Sequence, residues 1–146
     1  MLLQLESLLY KGKTFHLSHP LLHIISLSEL KSILMTTAYD VSTQNYRLDM
    51  GISSGQNQYT LLNGSETFLK TRDMYISDQM GVISNIIYNP GHHTRIPPGT
   101  SHALVTVYAP PRINRQMIKT HFSGIVLVAD DTSLDPVVEL KKILAD

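Results

Sequence analysis

The stretch Tyr46-Arg47-Leu48-Asp49-Met50-Gly51-Ile52-Ser53 decides the fold class, because the hydrophobic period changes there from helical to two. Tyr46, Leu48, Met50 and Ile52 point one way along an extended chain, and Arg47, Asp49, Gly51 and Ser53 the other. Downstream, Ser54-Gly55-Gln56-Asn57 and Asn63-Gly64 are turn signals, so 46–53, 58–62 and 66–69 are predicted as a meander. Met74–Ser77 and Val82–Tyr88 follow as strands about an Asp78–Gly81 turn. Asn89-Pro90-Gly91 and Pro97-Pro98-Gly99 bracket a segment, His92–Ile96, that cannot stay regular for long. Ala103–Tyr108 then reads as a buried strand.

Upstream of the switch the period is helical. Leu2, Leu5, Leu8 and Leu9 recur at helical spacing before Lys11-Gly12-Lys13, a stop signal with cations at the negative end of the dipole. Pro20 reads as a first-turn residue, and Leu21, Leu22, Ile25, Leu30, Ile33 and Leu34 give a second helix a broad apolar face that fades near Thr36-Thr37. After the strands, Ile113, Met117, Ile118, His121, Phe122 and Ile125 share one helical face. Asp135-Pro136 forms an N-cap and N1 pair for a last helix, with Glu139 early and Lys141 and Lys142 late. Helices, then strands, then helices argue for an α+β fold rather than a doubly wound sheet.

The chain has 146 residues, 42% of them hydrophobic and 16% charged, with a mean hydropathy of −0.02. It is sized for a single domain over 1–146 with one core, and is too apolar for a disordered tail. No run approaches the ~18 to 20 apolar residues of a membrane span, and the first residues lack a basic n-region and a small-residue cleavage site. A cytoplasmic protein without membrane attachment is expected. There is no cysteine, which excludes disulfides, thiolate metal sites and cysteine nucleophiles. The zero net charge hides an asymmetry: between Asp78 and Asp130 no acidic residue occurs, while Arg95, Arg112, Arg115 and Lys119 do. That excess could meet a phosphate or carboxylate, or be neutralised by flanking acidic segments folding beside it.

Seven histidines raise a metal hypothesis. His19 and His23 stand four apart near a helix, but His19-Pro20-Leu21-Leu22-His23 lacks the glutamate of an HExxH site. A capping role for His19 and a packed or surface role for His23 is the favoured reading, and no metal or other cofactor is expected. No G-x-S-x-G elbow, phosphate-binding glycine loop or paired-carboxylate signature occurs. The segment from Asn89 to Thr100 instead packs three prolines, two histidines, an arginine and two threonines between strands. Such rigid turns can hold polar side chains at a sheet edge, although an ordinary surface hairpin would look the same.

Several of these residues carry a family resemblance. Asp78-Gln79-Met80-Gly81-Val82-Ile83-Ser84, Ile87-Tyr88-Asn89-Pro90-Gly91, Thr94-Arg95-Ile96, Thr100 and Tyr108-Ala109-Pro110, in that order, resemble the tRNA-editing domain of the phenylalanyl-tRNA synthetase β subunit, above all its free-standing bacterial form. Lys11-Gly12-Lys13, Pro20-Leu21-Leu22 and Ala38-Tyr39-Asp40 fit the same layout, so the resemblance covers about residues 5 to 145. It implies a three-layer β/β/α sandwich with helices at both chain ends, shortened at its N-terminus relative to such domains. An exposed sandwich edge could then pair two copies into a homodimer.

The resemblance also implies a function: binding the aminoacylated 3′ end of tRNA, with hydrolysis of a mischarged ester by positioning water and ribose rather than by a protein nucleophile. The alternative is a non-catalytic module of the same fold that binds an amino-acid-like ligand or a protein partner. Thr100 matches a pocket threonine, and Tyr39-Asp40 an aromatic–Asp pair beside it; Thr37 stands where such domains carry a histidine. Their tyrosine-reading glutamate falls at about His92, and the Asp and Asn of their pocket helix become His23 and Ser26. Without that carboxylate, selectivity for tyrosine is not expected. The implied catalytic residues are His92, His93 and Thr100; the implied substrate contacts are Tyr39, Thr37, Thr94 and Arg95, with Arg112 and Arg115 on phosphates.

Overall fold

Pro20 can start a helix because its missing N–H would have no partner there, and His19 before it does the capping. His19 is extended, and its Nδ1 accepts from the Leu21 N–H at 3.1 Å. The computed structural model describes residues 19–41, 47–85, 89–91, 94–109, 111–131 and 137–138. The helix expected over 2–9 and the segments 42–46 and 86–88 lie outside them, as does the helix expected from Asp135 except at residues 137–138, which are not helical.

Helix α1, Pro20–Ser32, ends at Ile33, whose φ of 61° is left-handed and whose N–H donates to the Glu29 carbonyl at 2.7 Å. The chain therefore reverses three residues before the predicted fade. Thr36 and Thr37 belong to strand β1, Met35–Asp40, where β-branched side chains fit better than in a helix. The five strands expected between Tyr46 and Tyr88 occur in that order along the chain, and Asn89–Pro90, expected as a turn, adds a sixth. The six are β2 (Asp49–Ile52), β3 (Gln58–Thr60), β4 (Glu66–Phe68), β5 (Met74–Asp78), β6 (Gly81–Asn85) and β7 (Asn89–Pro90). The first of them pairs with the fourth, so 46–53, 58–62 and 66–69 do not form the expected meander. Strand β8, Ala103–Tyr108, is where the sequence places it, and helix α2 spans Arg115–Asp131 behind an Asn114 cap that accepts from Gln116 N–H at 2.8 Å.

Among the described residues the fold is mixed α+β with antiparallel sheets: a ribbon β1-β8, a sheet β2-β5-β6-β7 and a hairpin β3-β4. The β5–β6 turn is tightened by Asp78, whose Oδ1 accepts from Met80 N–H at 2.7 Å, and by Gly81 at a φ of 132° that favours glycine.

Alternation along β1 distributes the core. Ala38 packs with Ile25 of α1 and with Ile96, while its neighbour Tyr39 packs with Ile76 of β5 and Ile83 of β6. Ile24 meets Ile125 and Ala129 of α2, with Val105 of β8 beneath both helices. Each buried isoleucine contributes about 1.5–3 kcal/mol of transfer free energy. The ribbon is thus held from its helical side and from its β5–β6 side at once. No helix among the described residues is long and apolar enough to cross a membrane.

Candidate functional site

The thirteen residues of α1 rise about 20 Å, and the six of β1 return over about the same distance. Asp40 therefore comes back to the level of Pro20. At that end the Pro97-Pro98-Gly99 turn, closed by Thr100 N–H on the Pro97 carbonyl at 3.2 Å, brings Thr100 against the strand. Thr100 Oγ1 donates to Asp40 Oδ2 at 2.7 Å, a short charge-assisted bond that fixes both side chains. Thr100 is half-buried and Asp40 is buried beneath it. Next along the chain, exposed Ser101 and His102 hydrogen-bond through Oγ and Nδ1 at 3.0 Å, and the His102 carbonyl accepts from Val41 N–H at 3.1 Å.

The other expected site residues distribute unevenly around this pair. Tyr39 is 0% exposed; its hydroxyl lies 3.3 Å from the Tyr108 hydroxyl and accepts from Thr106 Oγ1 at 3.4 Å. Tyr108 is also 3.1 Å from Ser84 Oγ, and burial, with Tyr39 beside it, raises its hydroxyl pKa well above the ordinary tyrosine value. These hydroxyls satisfy one another between the ribbon and the sheet. Thr37 is buried on the same face of β1, paired in register with Thr106. Thr94 is buried as well, with Oγ1 donating to the Ile83 carbonyl at 3.3 Å. Arg95 is exposed beside it. His92 and His93 lie outside the described residues.

Arg112 and Arg115 are exposed, but at the far end of the ribbon, just after Tyr108, whereas Thr100 precedes Ala103. Six strand residues separate the ends, about 17 Å at ~3.4 Å per step. The structure thus gathers Thr100 and Asp40 at one end, puts Arg112 and Arg115 at the other, and turns Tyr39, Thr37 and Thr94 inward.

That far end holds a cluster whose partners sequence reasoning did not identify. His121 of α2 is buried, with Nδ1 2.7 Å from Ser32 Oγ of α1 and Nε2 2.7 Å from Thr36 Oγ1 of β1. Both hydroxyls also reach carbonyls, Ser28 at 2.9 Å and Leu34 at 3.2 Å. Thr36 N–H in turn donates to Glu29 Oε1 at 2.6 Å. Burial lowers the His121 pKa from its ordinary value of 6.5, so the neutral ring is favoured, one nitrogen donating and the other accepting. Burial likewise raises the Glu29 carboxyl, partly offset by the Thr36 bond. The available signal was a histidine on the apolar face of a helix, at Ile118-x-x-His121-x-x-x-Ile125. Ser32 is a poor nucleophile here: its oxygen sits at a helix C-terminus, where the dipole opposes an alkoxide.

Among the described residues no group of three or more histidine or acidic side chains is placed to hold a metal ion. No protein-family model matches the chain, and no curated protein is significantly similar to it.

Proposed function

We propose that this protein binds the aminoacylated 3′ end of tRNA, within a three-layer β/β/α sandwich of the synthetase editing type. The observation that carries the reading is the 2.7 Å bond from Thr100 to Asp40, which joins two positions that the sequence resemblance assigns to one pocket. A carboxylate held by a threonine at the end of a strand is a good acceptor for a ribose hydroxyl or for the α-ammonium of an aminoacyl ester. Arg95 is exposed nearby in sequence, and a single strand laid along the ribbon would run its ~17 Å from one end to the other. Its phosphates would then meet Arg112 and Arg115, with its aminoacyl terminus at Thr100. His92 and His93 would complete the site by placing the attacking water.

A second reading, a non-catalytic module that binds an amino-acid-like ligand or a protein partner, has one specific observation in its favour. Thr37, Tyr39 and Thr94 are buried, with the Tyr39 and Thr94 hydroxyls bonded inward, so they offer an incoming substrate little polar surface.

Deacylation of a panel of mischarged tRNAs by the purified chain, beside a His92/His93/Thr100 triple-alanine variant, separates the readings. Hydrolysis that the triple variant loses supports a trans-editing enzyme. Salt-sensitive binding without hydrolysis, weakened by Arg112→Ala and Arg115→Ala, supports RNA binding alone. Absence of both sinks the tRNA proposal and leaves the module.

A further inference from the structure

We propose that two copies of this chain pair through the outer edge of β2, antiparallel and centred on Met50, to form one continuous sheet. The argument starts from which backbone groups are already used. Ser53 bonds inward, its N–H donating to the Asp73 carbonyl at 2.8 Å and its carbonyl accepting from Arg72 N–H at 2.8 Å. Along an antiparallel strand this direction alternates, so Gly51 and Asp49 also bond toward β5, and Leu48, Met50 and Ile52 turn their N–H and C=O groups outward. Strand β2 is at the end of its sheet, and no other described strand pairs with that outward row.

The side chains on the same three residues are apolar and only partly covered. Leu48 packs against the Tyr39–Ile76–Ile83 cluster, but Met50 is 56% exposed, Ile52 70% and the neighbouring Met74 44%. The strand carries no lysine, proline or bulge of the kind that blunts an edge. On its other face Gly51 lies under the Tyr75 ring, where a Cβ would come within 2.5 Å of Cζ.

A second copy is the occupant that fits this row, because the row is symmetric about Met50. A two-fold axis there makes Met50 face Met50 of the other copy, and Leu48 face Ile52, in hydrogen-bonded pairs that use all three outward residues of each strand. The apolar side chains then form one continuous stripe. On the opposite face Asp49 meets Gly51 and Arg47 meets Ser53, so no like charges stand directly opposite. The two Asp49 carboxylates approach only diagonally, each already 3.6 Å from its own Arg47. Shifting the axis to Leu48 would set Met50 opposite Tyr46 and Ile52 opposite Gln44, outside the described strand, losing the stripe.

The chain has no cysteine, so a single introduced thiol reports on the pairing. The full-length Met50→Cys variant should give a covalent dimer under mild oxidation, at least about tenfold faster than Ser123→Cys on the exposed face of α2, because pairing raises the local thiol concentration. Directly opposed residues in such pairs have Cα atoms about 5.5 Å apart, within disulfide reach. Met50→Lys should shift the wild-type dimer to monomer in sedimentation, with an unchanged far-UV spectrum. Equal oxidation rates, faster cross-linking of Leu48→Cys than of Met50→Cys, or a monomeric wild type at all accessible concentrations would each overturn the proposal, the last leaving the edge to a strand from another protein.

Discussion

The two ends of the β1–β8 ribbon are built on opposite terms. At the Met35–Tyr108 end, three elements converge on His121, and both ring nitrogens are spent at 2.7 Å on groups of α1 and β1. At the Asp40–Ala103 end, one threonine holds one carboxylate, and the next two polar side chains, Ser101 and His102, are exposed. The first end can hardly take a ligand without losing a bond. The second keeps Asp40 buried behind half-buried Thr100, with exposed polar side chains beside it. Polar residues are therefore not equivalent as site candidates: what separates them is whether neighbouring elements already satisfy them.

The largest effect that tests this contrast is His121→Ala. It leaves a cavity and removes two short hydrogen bonds, and should lower unfolding free energy by about 2–4 kcal/mol in urea melts. Thr100→Ala, at the open end, removes one bond to a buried carboxylate and should cost about 1.5–3 kcal/mol, less than His121→Ala, while weakening any ligand binding at that end. Equal stability losses at the two positions would erase the distinction.

The pH dependence sharpens it. The folded pKa of His121 is lowered, so below pH 6.5 the unfolded chain binds more protons than the native one. Stability should fall as pH drops from 6.5 to the folded His121 pKa and then stop changing on this account. Glu29 acts with the opposite sign: its folded pKa is raised above 4.5, so the native state binds more protons in that window and gains stability as pH falls through it. Urea midpoints measured across pH should show the histidine slope in wild type and its loss in His121→Gln.

Smaller effects follow. Tyr39→Phe removes two long hydroxyl contacts but keeps the ring, and should cost about 1 kcal/mol, measured by thermal melting. At the closed end Ile33 holds a left-handed φ of 61° with 77% of its surface exposed. Ile33→Gly should be neutral or stabilising by up to ~1 kcal/mol, because a β-branched residue is strained there and little packing is lost. A destabilisation would mean that the α1–β1 reversal depends on the Ile33 side chain.

Much of the strand order was legible because alternation and turn chemistry are local. Asn63-Gly64 and Asp78–Gly81 turn where the sequence says they should, and Pro20 opens a helix capped by His19. The end of α1 was less legible. Leu30, Ile33 and Leu34 continue a helical period past Ser32, yet Leu30 and Ile33 are exposed and Leu34 is buried after the reversal. Period alone cannot tell a helical face from a chain that turns back on itself. The same limit applies to β2, whose apolar alternation is real but points Met50 and Ile52 into solvent, because the β1–β8 layer covers only the Leu48 side of that face.

The candidate site divides in the same way. Thr100 and Asp40 are sixty residues apart, and no local pattern in the sequence joins them; the resemblance placed them side by side, and the bond follows from the β1–β8 register, which pairs Asp40 with Ala103 just after the Thr100 turn. Sequence by itself determined the α+β class, the succession of strands β2 to β6 along the chain, the His19 cap and the absence of thiol chemistry, since each follows from residue type and short-range spacing. Which strands pair, β2 with β5 rather than with β3, did not follow from it. Tertiary structure alone decided which hydroxyls and imidazoles are spent and which are offered, because burial and partnership depend on contacts between elements far apart in the chain.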